Sequence, residues 1–167
     1  SDKPEYQADQ TASVLCFLAA LLRTRRDDLP DDLADAVRRA IADGVEGLDE
    51  TLAADGLPEE CQNAWENMIG RFAHTAATYL QAYATVARAP VNDDLREHAA
   101  AQAATVHDGL DRLWDADAEL YALRERDGDL DARADASTFA LVEAVAAYDA
   151  IGSMVDAGDR VTDADLD

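Results

Sequence analysis

Few side chains in this sequence stand at spacings that could support chemistry. His74, His98 and His107 are the three histidines. None has a Glu three residues before it, so the Glu-x-x-His pairs of di-metal helical bundles are absent. No two of them stand four apart, which removes the two-histidine zinc site of a single helix. Asp117 is different. It falls at helical spacing between Leu113/Trp114 and Leu120/Tyr121. A carboxylate on an apolar stripe needs a partner or it takes up a proton. Arg71 and His74 are the partners expected for it. Arg71, His74 and Asp117 therefore form the candidate polar site, either an internal ion-pair cluster or a ligand-binding acid with its basic neighbours.

The remaining acidic motifs carry less. Asp27-Asp28 with Asp31-Asp32, and Asp93-Asp94 with Glu97, are clusters of the kind that arise freely among 36 acidic residues. Glu46-x-x-Asp49 supplies one half of a paired carboxylate set for Mg²⁺, without a second half. No Ser-His-Asp arrangement, glycine-rich phosphate loop or nucleophile elbow occurs. No metal site and no cofactor are expected, and the chain leans towards a non-catalytic role.

The elements that would position these residues read as helices. Alanine-rich, glycine-poor and proline-poor composition favours them. Apolar periodicity predicts five helices, over 5–26, 31–54, 58–89, 92–127 and from about 131–137 to 158. The first is apolar around most of its circumference and is expected inside. The third carries Trp65, Met68, Ile69, Phe72, Tyr79, Leu80, Tyr83 and Val86 on its apolar side. Asn92 is the expected N-cap of the fourth. Short connections make neighbours antiparallel. The expected fold is all-α, an elongated up-and-down bundle of about five antiparallel helices. One domain spans 1–158, followed by an acidic tail over 159–167. At ~1.5 Å per residue the third and fourth helices would each reach ~45–50 Å.

Charge sets the environment. The formal net charge is -22, Asp outnumbers Glu by 26 to 10, and Lys3 is the only lysine. An Asp-rich, Lys-poor surface resembles those of proteins from extreme halophiles, which fold in molar salt that screens self-repulsion. The expected setting is the high-salt cytosol; a virion or secreted protein fits the composition as well. Direct nucleic-acid binding is not expected, because phosphate contacts need clustered Lys and Arg. Arg23, Arg25 and Arg26 are the one basic cluster, and cations at a helix C-terminus complement its dipole. No apolar run reaches the ~18 residues of a membrane span. Cys16 and Cys61 are expected as buried free thiols.

One long stretch, 67–92, holds no acid at all. Opposite its aromatic side runs a polar stripe of Asn67, Arg71, His74, Thr78, Gln81, Thr85 and Arg88. In so acidic a protein, such a stripe is expected to be shielded, by the other helices or by another chain. Asn67, Thr78, Gln81, Thr85 and Arg88 are the candidate interface. Three functions follow in order: a helical bundle acting through protein–protein association, as an assembly factor, adaptor, complex or virion subunit, with a protein partner or a second copy; a small-molecule-binding bundle with its site between the third and fourth helices; and a metal-dependent hydrolase.

Overall fold

Apolar residues spaced by three and four begin the chain's first element. In the computed structural model, which describes residues 8–62 and 68–152, helix α1 spans Ala8–Arg25 and buries Ala8, Ala12, Leu15, Ala19 and Leu22. A 3₁₀ turn over Arg26–Asp28 closes it. Pro30 then leads into α2 (Asp31–Asp49), whose first turn carries Asp31 and Asp32. Negative charge there is favoured by the helix dipole. The buried stripe of α2 is Ala34, Val37, Ile41, Val45 and Leu48, spaced by three and four residues along one side of the helix. Helix α3 spans Ala73–Ala87 and α4 spans Asp93–Gly109. Asn92 caps α4 by accepting from the Leu95 N–H at 2.8 Å. Helix α5 spans Ala140–Asp149.

The all-α expectation fails in two places. Residues 58–62 and 68–72 are not helical. Leu52 bridges Pro58, and strands β1 (Cys61–Gln62) and β2 (Ile69–Phe72) follow. After α4 the chain makes a 3₁₀ turn over Leu110–Leu113 and four more strands. They are β3 (Trp114–Asp115), β4 (Leu120–Tyr121), β5 (Arg124–Arg126) and β6 (Asp129–Asp131). A four-stranded antiparallel sheet in the order β1-β2-β5-β6 and a separate β3-β4 pair result. The fold is therefore mixed α/β.

The physical reasons lie in the partners. In β2 the burial alternates, with Gly70 and Phe72 in and Ile69 and Arg71 half out. That is the two-residue period of a strand. Arg71 pairs with Glu125 and Phe72 with Arg124 across the ladder. The β5–β6 hairpin is set by Asp127 and Gly128, whose φ values are 55° and 85°. Two consecutive left-handed residues make the tight turn that matches strand twist, and Asp-Gly is a preferred pair for it. Cross-strand bonding thus overrides a helical spacing that long-range partners do not support.

The helices form two layers. Helix α3 packs against α1, α4 and α5, and α2 covers α1. Asp9 of α1 lies beside His74 at the start of α3. Cys16 of α1 lies beside Thr85 near the end of α3, so α1 and α3 run in the same direction. The turn leading into α5 meets the start of α3 through Ser137 and His74, and α5 then packs along α3. The front layer is α1-α3-α5, and α2 and α4 return behind it.

Helix α3 is the centre of the core, buried at all but His74, Gln81 and Thr85. At about 1.5 Å per residue it is ~22 Å long, half the expected length. Helix α1 is not the inner helix expected. Its outer side shows Val14 at 56% exposure and Phe17 at 65%. The expected acidic tail at 159–167, with Asn67 and Trp65, lies outside the described residues. No helix among the described residues is long and apolar enough to cross a membrane.

Candidate functional site

Arg71 sits in β2 where three segments converge. Its Nη1 donates to Asp55 Oδ2 at 2.9 Å and to Glu125 Oε2 at 3.1 Å. Nη2 pairs with Asp55 Oδ1 and donates to Leu57 O at 3.3 Å, and Nε donates to Pro58 O at 3.1 Å. Every arm of the guanidinium is taken. The Arg71 hydrogen bond holds the Asp55 carboxyl below its ordinary range, against the opposing effect of burial. Arg112 adds a second contact to Asp55 at 3.2 Å. This is a clamp fastening the loop after α2 to the sheet. Behind that loop, Gly56 presses on Gly109 so closely that a Cβ on Gly109 would stand 2.6 Å from Gly56 backbone atoms.

His74 follows three residues later with a different set of partners. Its Nδ1 lies 3.4 Å from Ser137 O and its Nε2 3.6 Å from Asp9 Oδ2. Both ring nitrogens therefore face acceptors, which favours the doubly protonated ring. Asp9 is the main cause of a raised His74 pKa, with burial working against it. Asp9 Oδ1 is buried and has no hydrogen-bond partner among the described residues. Cys61 Sγ lies 3.8 Å from Thr75 Oγ1 nearby, and burial pushes its thiol pKa up.

Asp117 does not join them. It belongs to the exposed turn between β3 and β4, and its N–H donates to Asp115 Oδ1 at 3.0 Å. The expectation of a buried Asp117 on a long fourth helix is corrected: the helix stops at Gly109. The structure thus brings Arg71 and His74 near one another in the chain but in separate networks, and leaves Asp117 apart from both. Along the acid-free stripe, Thr78 is buried and donates to Thr75 O at 2.8 Å. Thr85 donates to Gln81 O at 2.6 Å. Gln81 and Arg88 are half-buried, and Arg88 Nε is buried without a partner among the described residues.

A third polar assembly was not legible beforehand. Asp49, the last residue of α2, accepts from Tyr83 at 2.8 Å and Gln102 at 3.0 Å on Oδ1, and lies 2.7 Å from His98 Nε2 on Oδ2. Tyr79 joins through its hydroxyl, 2.7 Å from Thr51 Oγ1. Burial, then the Asp49 carboxylate, raises the Tyr83 pKa, so this phenol stays protonated. A carboxylate-held imidazole is the geometry of a general base. Both Asp49 oxygens are committed, however, and no hydroxyl or thiol is bonded to His98 among the described residues. The assembly joins α2, α3 and α4. No group of three or more potential metal ligands occurs among the described residues.

An apolar groove opens along α5. Leu120 and Tyr121 of β4, the segment leading into α5, and the outer side of α5 enclose a groove of about 780 Å³. Phe139 stands at its edge at 75% exposure and Val142 at 68%. Leu141, Val145 and Ala146 continue the lining, and Asp135 and Asp149 are its carboxylates. Trp114 meets Tyr121 edge to face, ring centres 5.1 Å apart. Val142 lies at apolar helical spacing with Leu141 and Val145 but faces outward. The sequence signal for the groove was the run Phe139 to Ala147, in which apolar residues exceed what one buried side can hold. No protein-family model matches the chain, and neither the curated proteins nor the solved structures compared with it contain a match.

Proposed function

We propose that the chain acts by protein–protein association, binding an amphipathic helix of another polypeptide in the groove along α5. The observation that carries this reading is the exposure of Phe139 and Val142 beside an apolar groove, on a chain of net charge -22. Contiguous apolar surface of this kind marks interaction sites. The occupant has stated chemistry. Its inner stripe is apolar, repeating at three and four residues as helix-in-groove anchors do. It carries no acid, and it places arginine where Asp135 and Asp149 stand at the rim. Charge at such a rim sets orientation more than affinity.

Trp114 provides the readout, because its ring touches Tyr121 in the groove wall. In a Trp65→Phe background, Trp114 emission would be followed in molar KCl while an acid-free synthetic helix with a leucine stripe and flanking arginines is added. A saturable change that disappears in Val142→Asp is expected. A signal that stays flat, or survives that substitution, would sink the proposal.

A further inference from the structure

We infer that the helix received by the groove is α1 of a second copy of this chain, laid parallel to α5. This rests on the groove being a helix-binding surface, and it names the occupant.

The front layer has two open edges. At one, α1 turns Val14 and Phe17 away from α3; at the other, α5 turns out Phe139 and Val142. Leu21, half-buried, continues the α1 side, and exposed Ala146 continues that of α5. Val14, Phe17 and Leu21 advance by three and then four residues, and Phe139, Val142 and Ala146 advance by the same steps in the same order. Phe139 has helical dihedrals, φ -60° and ψ -21°, and so belongs to the α5 repeat. Laid parallel, Val14 meets Phe139, Phe17 meets Val142, and Leu21 meets Ala146. The larger side chain faces the smaller at each of the three levels, as interdigitating helix faces require. An antiparallel arrangement would set a step of four against a step of three.

Charge agrees with this register. No acid occurs on α1 after Asp9, and Arg23 and Arg25 occupy its last turn. Four residues beyond Leu21 comes Arg25; three beyond Ala146 comes Asp149. Parallel packing therefore brings the basic end of α1 to the acidic end of the groove. The reverse direction would carry the arginines towards Asp135, whose carboxylate already accepts from the Ser137 N–H at 2.8 Å. Two copies related by an axis along the layer keep their helices parallel, so α1 of the partner continues the α1-α3-α5 layer in its own sense. The contact joins unlike surfaces; copies that close on each other give a dimer, and copies that do not give longer assemblies. Repulsion between two chains of charge -22 confines the contact to high salt, where the Debye length falls to about 3 Å at 1 M.

The test measures mass by light scattering in molar KCl, with helicity by circular dichroism, for the native chain, Phe17→Glu and Val142→Glu. Both residues are exposed, so neither variant is expected to lose its fold. The native chain is expected to associate and each variant to be monomeric at native helicity. Mixing the two variants is expected to give a one-to-one complex, because the first keeps a sound groove and the second a sound α1. A monomeric native chain in molar salt, an assembly that persists in either variant, or a mixture that stays monomeric would overturn the inference. A monomeric native chain that still binds the synthetic helix through Trp114 would overturn the second copy as occupant and leave the groove's function standing.

Discussion

Two stretches of this chain avoid acid, 10–26 and 67–92, and the structure treats them differently. The second contains α3, which is surrounded by α1, α4 and α5 and buried on nearly every side. Its lack of acid is explained within the molecule. The first contains α1, and only one side of α1 is covered; Phe17 remains 65% exposed. Its lack of acid has no explanation inside the described residues. In a protein that spreads acid over so much of its exposed surface, a long stretch without acid marks a surface in contact, without saying whether the same chain makes that contact. Charged residues are depleted from interface cores for the same desolvation reason that keeps them out of interiors.

The contrast is broken or sharpened by substitution, all measured as urea midpoints at one fixed molar KCl concentration. The largest effect is expected from Arg71→Ala, which strands Asp55 and Glu125. Removing one partner of a substantially buried ion pair costs about 3–4 kcal/mol. Next is Leu80→Ala on the inner rod, fully buried, at about 3 kcal/mol from lost burial and the cavity left behind. A shift well under 1 kcal/mol there would mean that α3 is not the core.

His74 gives an effect that depends on pH. Its pKa is raised in the folded chain, chiefly by Asp9, so the unfolded chain releases its proton first. The stabilisation is fully present below the unfolded value of about 6.5 and is lost as pH rises through the raised folded value. The advantage of the native chain over His74→Gln should therefore shrink from about pH 6 upward. An advantage that is constant or grows with pH would contradict the pairing.

The smallest effects belong to the outer side. Phe17→Ser at protein dilutions too low for association should move the midpoint by less than about 0.5 kcal/mol, as should Asp117→Ala in its exposed turn. A core-sized loss from Phe17→Ser under those conditions would erase the distinction between the two acid-free stretches.

The sequence made some of this legible. The α2 stripe, the Asn92 cap and the inner rod over residues 73–87 follow from local spacing and local chemistry. The strands do not. Trp65, Met68, Ile69 and Phe72 happen to repeat at three and four residues, but pairing with β1 and with β5, more than fifty residues later, makes Ile69–Phe72 extended. Short strands bonded to distant ones carry little periodicity of their own. Asp127-Gly128 was the usable clue, since that pair favours a hairpin turn as well as a helix stop. Without the hairpin, residues 110–127 lengthened the fourth helix, and Asp117 acquired an inner side it does not have. Arg71 was singled out as a partner for Asp117; its acids are Asp55 and Glu125, which lie in a loop and a strand that periodicity could not place.

The two thiols give the edge helix a chemical clock. Cys61, in β1, is fully buried against the start of α3, whereas Cys16 is half-buried on α1 against Thr85. Burial pushes the Cys16 thiol up to about 11. Since the thiolate is the attacking species, its reaction with a disulfide reagent near neutral pH is slowed about a hundredfold even while it stays accessible in part. Lifting α1 from the front layer would restore an ordinary thiol at position 16 and leave Cys61 sealed. The ratio of the two labelling rates therefore separates detachment of one helix from collapse of the whole chain, without any probe being added to the molecule.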